Sequence, residues 1–249
     1  MERSEALYND DGSAKYWGQY EMDRYLIDRY LKHIKKGTYI ECGAANGFSQ
    51  SNTFILECGY EWGGILVEPN PHNYQVITRH RHNCFVANCA LVSHDYKEEY
   101  IEGFFDGRVL NAKQEVVAGQ PSEEEFNNMM GGQIKTNHNY NKKRFSDDEK
   151  LLEVPARTLD AIFEESPFER ADFFSLDVEG YETEVLKGWS PSKYPVKYVL
   201  IEGRDLIEGR EQPDPPVVQY MLQHNYKIEE QVNPLNTLFS SLAAPTPIV

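Results

Sequence analysis

Thr38-Tyr39-Ile40-Glu41-Cys42-Gly43-Ala44-Ala45-Asn46-Gly47 is the stretch on which the fold turns. An apolar run, Thr38 to Glu41, ends at an acid and breaks into a turn of small residues, and a helical pattern follows from about Ser51 to Cys58. Strand, small-residue turn and helix in that order open a nucleotide-type βαβ unit. Glycine lets the turn bend sharply and lets its backbone approach a ligand without a side chain in the way.

Outward from this unit the same alternation continues. Gly64 to Glu68 reads as a strand, Pro71 to His80 as a helix with proline near its start, and Cys84 to Asn88 as a third strand. Further on come Ala156 to Phe163, the strand Asp172 to Asp177, the helix Tyr181 to Trp189 and the strand Tyr198 to Glu202. Strands alternating with helices predict a mostly parallel sheet covered on both faces. A last helix, about Pro216 to Asn225, precedes the strands Tyr226 to Val232 and Thr237 to Leu242, whose short connection predicts an antiparallel pair closing the sheet. Ahead of the first strand, Met22, Tyr25, Leu26, Tyr30 and Ile34 recur at helical spacing, which predicts a helix over 18–36 ending at Gly37. Residues 103–150 lack periodicity and read as a lid or insertion within a single domain spanning 1–249.

The acids at the strand ends carry the chemistry. Glu41, two positions before Gly43, faces the cleft and suits an ammonium group, whereas it would repel a pyrophosphate. Glu68 ends the next strand, where a carboxylate accepts both hydroxyls of a ribose. Two acids and a glycine turn describe a nucleoside that carries an amino acid, S-adenosylmethionine. A dinucleotide oxidoreductase is the nearest rival, but it calls for GxGxxG where this chain has Gly43 and Gly47 with Ala45 between them. Gly47-Phe48-Ser49-Gln50-Ser51 approaches the GxSxG elbow of hydrolases, with Ser51 crowding the place of the second glycine. Neither a GxxxxGK[ST] phosphate loop nor an HExxH zinc pair occurs.

Composition narrows the partners. The chain has 249 residues, 40% hydrophobic and 12% aromatic, too apolar for a disordered chain, and a net charge of -15. That charge disfavours phosphate backbones and anionic membranes, so a nucleic-acid substrate such as RNA ribose is not expected. No apolar run is long enough to span a bilayer and the charged start lacks a signal-peptide core, which predicts a cytoplasmic protein. Cys42, Cys58, Cys84 and Cys89 form no CxxC pair and read as reduced thiols. His80, His82 and Cys84 alternate before a strand without a partner constellation, so they are not assigned to a metal. Lys135, His138, Lys142, Lys143 and Arg144 in the insertion read as a solvated face, with an anionic acceptor as the other reading.

The chain resembles the FkbM family of S-adenosylmethionine-dependent methyltransferases. The resemblance runs through Gly43-Ala44-Ala45-Asn46-Gly47, Ser51-Asn52-Thr53, Leu56-Glu57, Gly63 to Pro71, Val154 to Asp160 and Ser175 to Glu182, in the family's order from about residue 18 to 203. It implies a class I methyltransferase (Rossmann-like) α/β fold, a seven-stranded sheet with an antiparallel last strand, and methyl transfer to a hydroxyl oxygen of a carbohydrate or other small polyol. It also implies that Glu41 binds the methionine ammonium group, that Gly43, Ala44 and Gly47 shape the turn around the cofactor, that Glu68 holds the ribose, and that Asn88 and Cys89 lie near the adenine. Asp177 and Glu179 stand where the reactive methyl is expected, Asp177 as first candidate base and cofactor ligand, Glu179 as second. Asp177, Glu179 and Glu202 would have to converge to hold a divalent cation, and the spacing fixes no such geometry. A non-catalytic binding or regulatory module on the same scaffold is the alternative from a different class.

Overall fold

In the computed structural model, residues 7–9, 12, 15–105, 133–134, 151–203 and 215–243 are described. A 3-10 turn at Gln19–Glu21 leads into helix α1 (Met22–Leu26), which continues as a π-helical turn over Ile27–Leu31. Then follow β1 (Thr38–Cys42), α2 (Phe54–Tyr60), β2 (Gly63–Val67), α3 (Pro71–His80), β3 (Cys84–Ala87), β4 (Ala90–Leu91), β5 (Tyr100–Phe104), β6 (Gln133–Ile134) and β7 (Leu152–Arg157). The chain continues through α4 (Leu159–Glu165), β8 (Ala171–Leu176), α5 (Glu182–Leu186), β9 (Val196–Glu202), α6 (Pro215–Gln223), β10 (Tyr226–Gln231) and β11 (Asn236–Ser241).

Seven strands form one sheet in the order β10-β11-β9-β8-β1-β2-β3. β1 pairs in parallel with β2 and β8, β2 with β3 and β8 with β9, while β11 runs antiparallel to β9 and β10. This is the order and the reversed last strand of a class I methyltransferase. Alternate side chains of each central strand point to opposite faces. Ile40, Ile65, Phe174 and Val199 pack on one face with Leu159, Ile162, Val185 and Met221, from α4 to α6. Tyr39, Leu66, Phe173 and Leu200 pack on the other with Met22, Leu26, Ile55 and Ile77, from α1 to α3. Burial on both faces is why these strands read as unbroken apolar runs.

Local chemistry sets the helix starts that matter for the cleft. Asn70 caps α3 by accepting from the amides of His72 (2.8 Å) and Asn73 (3.3 Å), and Pro71 stands where a missing N–H does no harm. Ser51 Oγ accepts from the amides of Thr53 (3.2 Å) and Phe54 (3.0 Å), so α2 begins at Phe54, later than the expected Ser51. The helix expected over 18–36 occupies less of that range, because Tyr20 and Glu21 take left-handed backbone (φ 54° each) and the π-helical turn ends at Leu31.

A second, four-stranded sheet, β4-β7-β5-β6, was not anticipated. Its strand β7 takes Ala156 and Arg157 from the stretch Ala156 to Phe163, which divides at Thr158, whose hydroxyl accepts from the Ala161 amide and caps α4. Of the lid or insertion expected at 103–150, residues 103–105 and 133–134 are described; Lys135, His138, Lys142, Lys143 and Arg144 lie outside the described residues. No helix among the described residues is long and apolar enough to cross a membrane.

Candidate active site

The strand register brings the sequence's acids together. Glu41 lies opposite Leu66 on one neighbour and Ser175 on the other, and Cys42 opposite Val67 and Leu176, so Glu68 and Asp177 each stand one residue past the last pair. The amides of Gly43 and Ala44 donate to the Val67 carbonyl, and the Asp177 amide donates to that of Cys42 (3.2 Å). These are carboxyl ends of parallel strands, and β1 is where the chain switches from building toward β3 to building toward β9, the position at which open α/β sheets bind ligands. A cleft of about 1120 Å³, counting its open mouth, lies there, lined among others by Glu41, Gly43, Ala44, Glu68, Asp177 and Glu179.

Gly43 has a left-handed backbone (φ +79°), and a Cβ there would stand 1.8 Å from the Asp177 carbonyl oxygen. Only glycine lets the ends of β1 and β8 approach this closely. Ala45, also left-handed, donates its amide to Glu68 Oε2 (2.8 Å), while the Asn70 amide donates to Oε1 (2.9 Å). Glu68 therefore ties the glycine turn to β2, and burial pushes its carboxyl up to about 7.

Glu41 is buried on the cleft wall, and its carboxylate is well occupied by the protein. It accepts from Ser51 Oγ (2.6 Å), Thr53 Oγ1 (2.7 Å) and the Asn52 amide (2.9 Å), with the Arg81 guanidinium 3.9 Å away. Burial raises its pKa against the opposing pull of Arg81 and these hydrogen bonds. An incoming ammonium group thus meets a carboxylate already serving as the joint between β1 and the start of α2.

Arg81 is the residue of the site's framework that the sequence reading passed over. Fully buried at the end of α3, it donates to Glu57 (2.8 Å), Tyr39 Oη (2.9 Å), Thr53 Oγ1 (3.0 Å) and the Gly47 carbonyl (2.5 Å). Tyr39 in turn donates to Glu57. Burial pushes the Glu57 carboxyl up, but Arg81 and the hydrogen bonds prevail and hold it below the usual carboxylate value. One guanidinium fork thereby joins β1, the glycine turn and α2, a geometry that a lysine lacks.

Gly47 and Asn88 stand behind the cleft, and neither lines it. Gly47 has φ +84°, and its missing Cβ makes room for Ile77 of α3, whose Cγ1 would be 2.9 Å away. Asn88 donates through Nδ2 to the carbonyls of Glu68 (2.8 Å) and Pro69 (3.0 Å), bracing the backbone beyond β2. Cys89 does line the cleft with Ala90, Leu91 and Phe105, an apolar wall suited to an adenine, and burial pushes its thiol up to about 12.

Asp177 is exposed and Glu179 half-buried, both on the cleft wall, with Glu179 and Gly180 at φ +57° and +92°. Glu202 does not line the cleft, and among the described residues no three His, Cys, Asp or Glu side chains are grouped to hold a metal ion. His80 packs edge-on against Phe48 (5.6 Å), and it lines, with His82, a separate groove around α2. No histidine is among the described residues of the main cleft, so Ser49 has no hydrolase base beside it. The acidic side chains among the cleft's described lining residues are Glu41, Glu68, Asp177 and Glu179, and no lysine or arginine is among them to receive a pyrophosphate.

Comparison with known proteins identifies the family. The model of the methyltransferase FkbM domain matches residues 41–228, more than half of the chain. Among solved structures, the human methyltransferase 10 domain containing protein is similar at 10% identity and a TM-score of 0.42, over 90% of this chain and 82% of that one. No curated protein sequence matches. With its strand order, its glycine turn and the family match in agreement, the chain belongs to the FkbM methyltransferase domain family.

Proposed function

We propose that the chain is an S-adenosylmethionine-dependent O-methyltransferase that acts on a hydroxyl of a carbohydrate or another small polyol. The observation that carries the reading is the charge of the cleft: four carboxylates and no cation among its described lining residues, gathered on a glycine turn. Such a lining favours a ligand with two positive charges, an ammonium and a sulfonium, over a dinucleotide. Glu68, at the end of the second strand, suits ribose hydroxyls, and the apolar wall of Ala90, Leu91 and Phe105 suits the adenine. The residues present therefore fit the cofactor that the family implies.

When bound, the sulfonium supplies an electrophilic methyl group. The chain's own contribution is to hold, to orient and to take up a proton. The turn at Gly43 and Ala44 holds the nucleoside; Glu41, fixed by Ser51, Asn52 and Thr53, offers negative charge to the amino-acid end. Asp177, and after it Glu179, accept the proton that the attacking hydroxyl loses. Holding two reactants in a near-attack arrangement lowers the barrier by about 7 to 11 kcal/mol, so orientation does most of the work. The test is transfer of radiolabelled methyl from S-adenosylmethionine to a panel of neutral sugars and polyols, with small amines and carboxylic acids assayed alongside. Label in a sugar hydroxyl, lost in Asp177→Asn, supports the reading; label found only in amine or carboxylate acceptors contradicts it.

A further inference from the structure

Glu182, the first residue of α5, is 3% exposed and does not line the cleft, yet it spends one carboxylate oxygen on the turn that does. Its Oε1 accepts from the amide of Val178 (3.0 Å) and from that of Gly180 (3.0 Å), on either side of Glu179. That segment needs an external hold, because Glu179 sits in left-handed backbone, which side-chain-bearing residues leave unless the surroundings over-determine it. On its other side the turn is pinned by the Asp177 amide on the Cys42 carbonyl, and by the approach of the Asp177 carbonyl to Gly43. The two carboxylates on this part of the cleft wall, Asp177 and Glu179, are thus carried on a segment clamped between β1 and Glu182.

We propose that Glu182 is a positioning residue for cofactor charge: by holding the Val178 and Gly180 amides it keeps Asp177 and Glu179 directed at the cleft, so that the site distinguishes the sulfonium cofactor from its neutral thioether product. The inference rests on the reading that the cleft binds S-adenosylmethionine. Burying a carboxylate with amide partners alone is unfavourable, and burial pushes this one up to about 7, with Asp177 as the charged neighbour that raises it further. What the turn requires from position 182 is reach, an acceptor oxygen at the end of a side chain this long. Charge at 182 itself is secondary.

Reach and charge are separable by substitution. Calorimetric titration with S-adenosylmethionine and with S-adenosylhomocysteine gives, for each variant, the ratio of the two affinities. Glu182→Gln keeps the reach and removes the charge, and holds the ratio within about threefold of the unaltered protein. Glu182→Asp keeps the charge and shortens the reach by one methylene, and Glu182→Ala removes both. Each lowers the ratio by about tenfold, the scale expected when one charge–charge contact at a partly solvated site is released. S-adenosylhomocysteine affinity, which does not depend on that contact, stays within about threefold in all the variants and reports an intact fold. The Asp variant carries the test if the Ala variant does not fold. A ratio unchanged in both Asp and Ala variants, equal loss of both ligands, or loss in the Gln variant would overturn the proposal. Failure of the unaltered protein to bind either compound would instead overturn the cofactor reading beneath it, and this inference with it.

Discussion

Replacing Glu68 by Gln separates what this carboxylate does for the fold from what it does for the ligand. In the folded protein its two oxygens serve two different amides, Ala45 at 2.8 Å and Asn70 at 2.9 Å. Glutamine has one carbonyl oxygen and presents an NH2 to the second amide, leaving a buried donor unsatisfied at about 1–3 kcal/mol. Against this stands the proton. Burial moves the Glu68 carboxyl from 4.5 to about 7, so between these values the folded state retains a proton that the unfolded chain has lost. Stability therefore falls as pH rises through this window, by roughly 3 kcal/mol for such a group, and levels off above 7. The Gln variant lacks this titration. Its stability deficit relative to the unaltered protein should shrink by roughly 3 kcal/mol between pH 5 and 8, a change of about 6–12 °C in relative Tm. Cofactor affinity moves separately: losing charge-assisted acceptors for two ribose hydroxyls is expected to cost about 2–4 kcal/mol, or roughly 30- to 1000-fold. Thermal melts across pH, with and without S-adenosylmethionine, read both effects. A deficit that stays constant with pH, or an unchanged affinity, would refute the reasoning.

Other perturbations address the rest of the site. Gly43→Ala combines a left-handed backbone with a Cβ 1.8 Å from the Asp177 carbonyl, and should lower stability by about 2–5 kcal/mol in thermal melts. Gly47→Ala, also in left-handed backbone but with a Cβ that meets the side chains of Ile77 (2.9 Å) and Arg81 (3.4 Å) rather than a backbone carbonyl, should lose distinctly less; equal losses would contradict the account of the turn. Arg81→Met strands Glu57 and Glu41 without their buried cation and should destabilise by about 3–5 kcal/mol, with Arg81→Lys recovering only part, as chemical denaturation would show. Because burial also holds Glu182 at about 7, the ligand-free protein should melt at falling temperature as pH rises from 5 to 7, and saturating S-adenosylmethionine should flatten that slope; a slope of opposite sign would count against the buried-carboxylate picture.

Much of this architecture was legible because the physics is local. The central strands β1, β2, β8 and β9 are short, mostly apolar runs buried on both faces, and two of them lead directly into an acid that the cleft uses, Glu68 after β2 and Asp177 after β8. Glycine and acid spacing located the turn, and Glu41, Gly43, Ala44, Glu68, Cys89, Asp177 and Glu179 all lie on the cleft wall. What escaped depends on distant partners. The second sheet is built from segments as short as Ala90–Leu91, and β7 carries Pro155, which breaks the usual strand signature. Arg81 looks like any cation at a helix end; its partners are spread from Tyr39 to Glu57, and only packing unites them. Gly47 fits the spacing of a cofactor glycine, yet its space is taken by α3. Asn88 follows a strand end as a ligand-contacting residue would, but its amide is spent on two carbonyls.

The central claim is that the carboxylate-lined cleft is built for S-adenosylmethionine, and its most direct test is calorimetric titration of the protein with that cofactor and, at the same salt and pH, with NAD. The account predicts saturable binding of S-adenosylmethionine at one site per chain, weakened in Glu68→Gln, and no binding of NAD. Binding of NAD alone would contradict it.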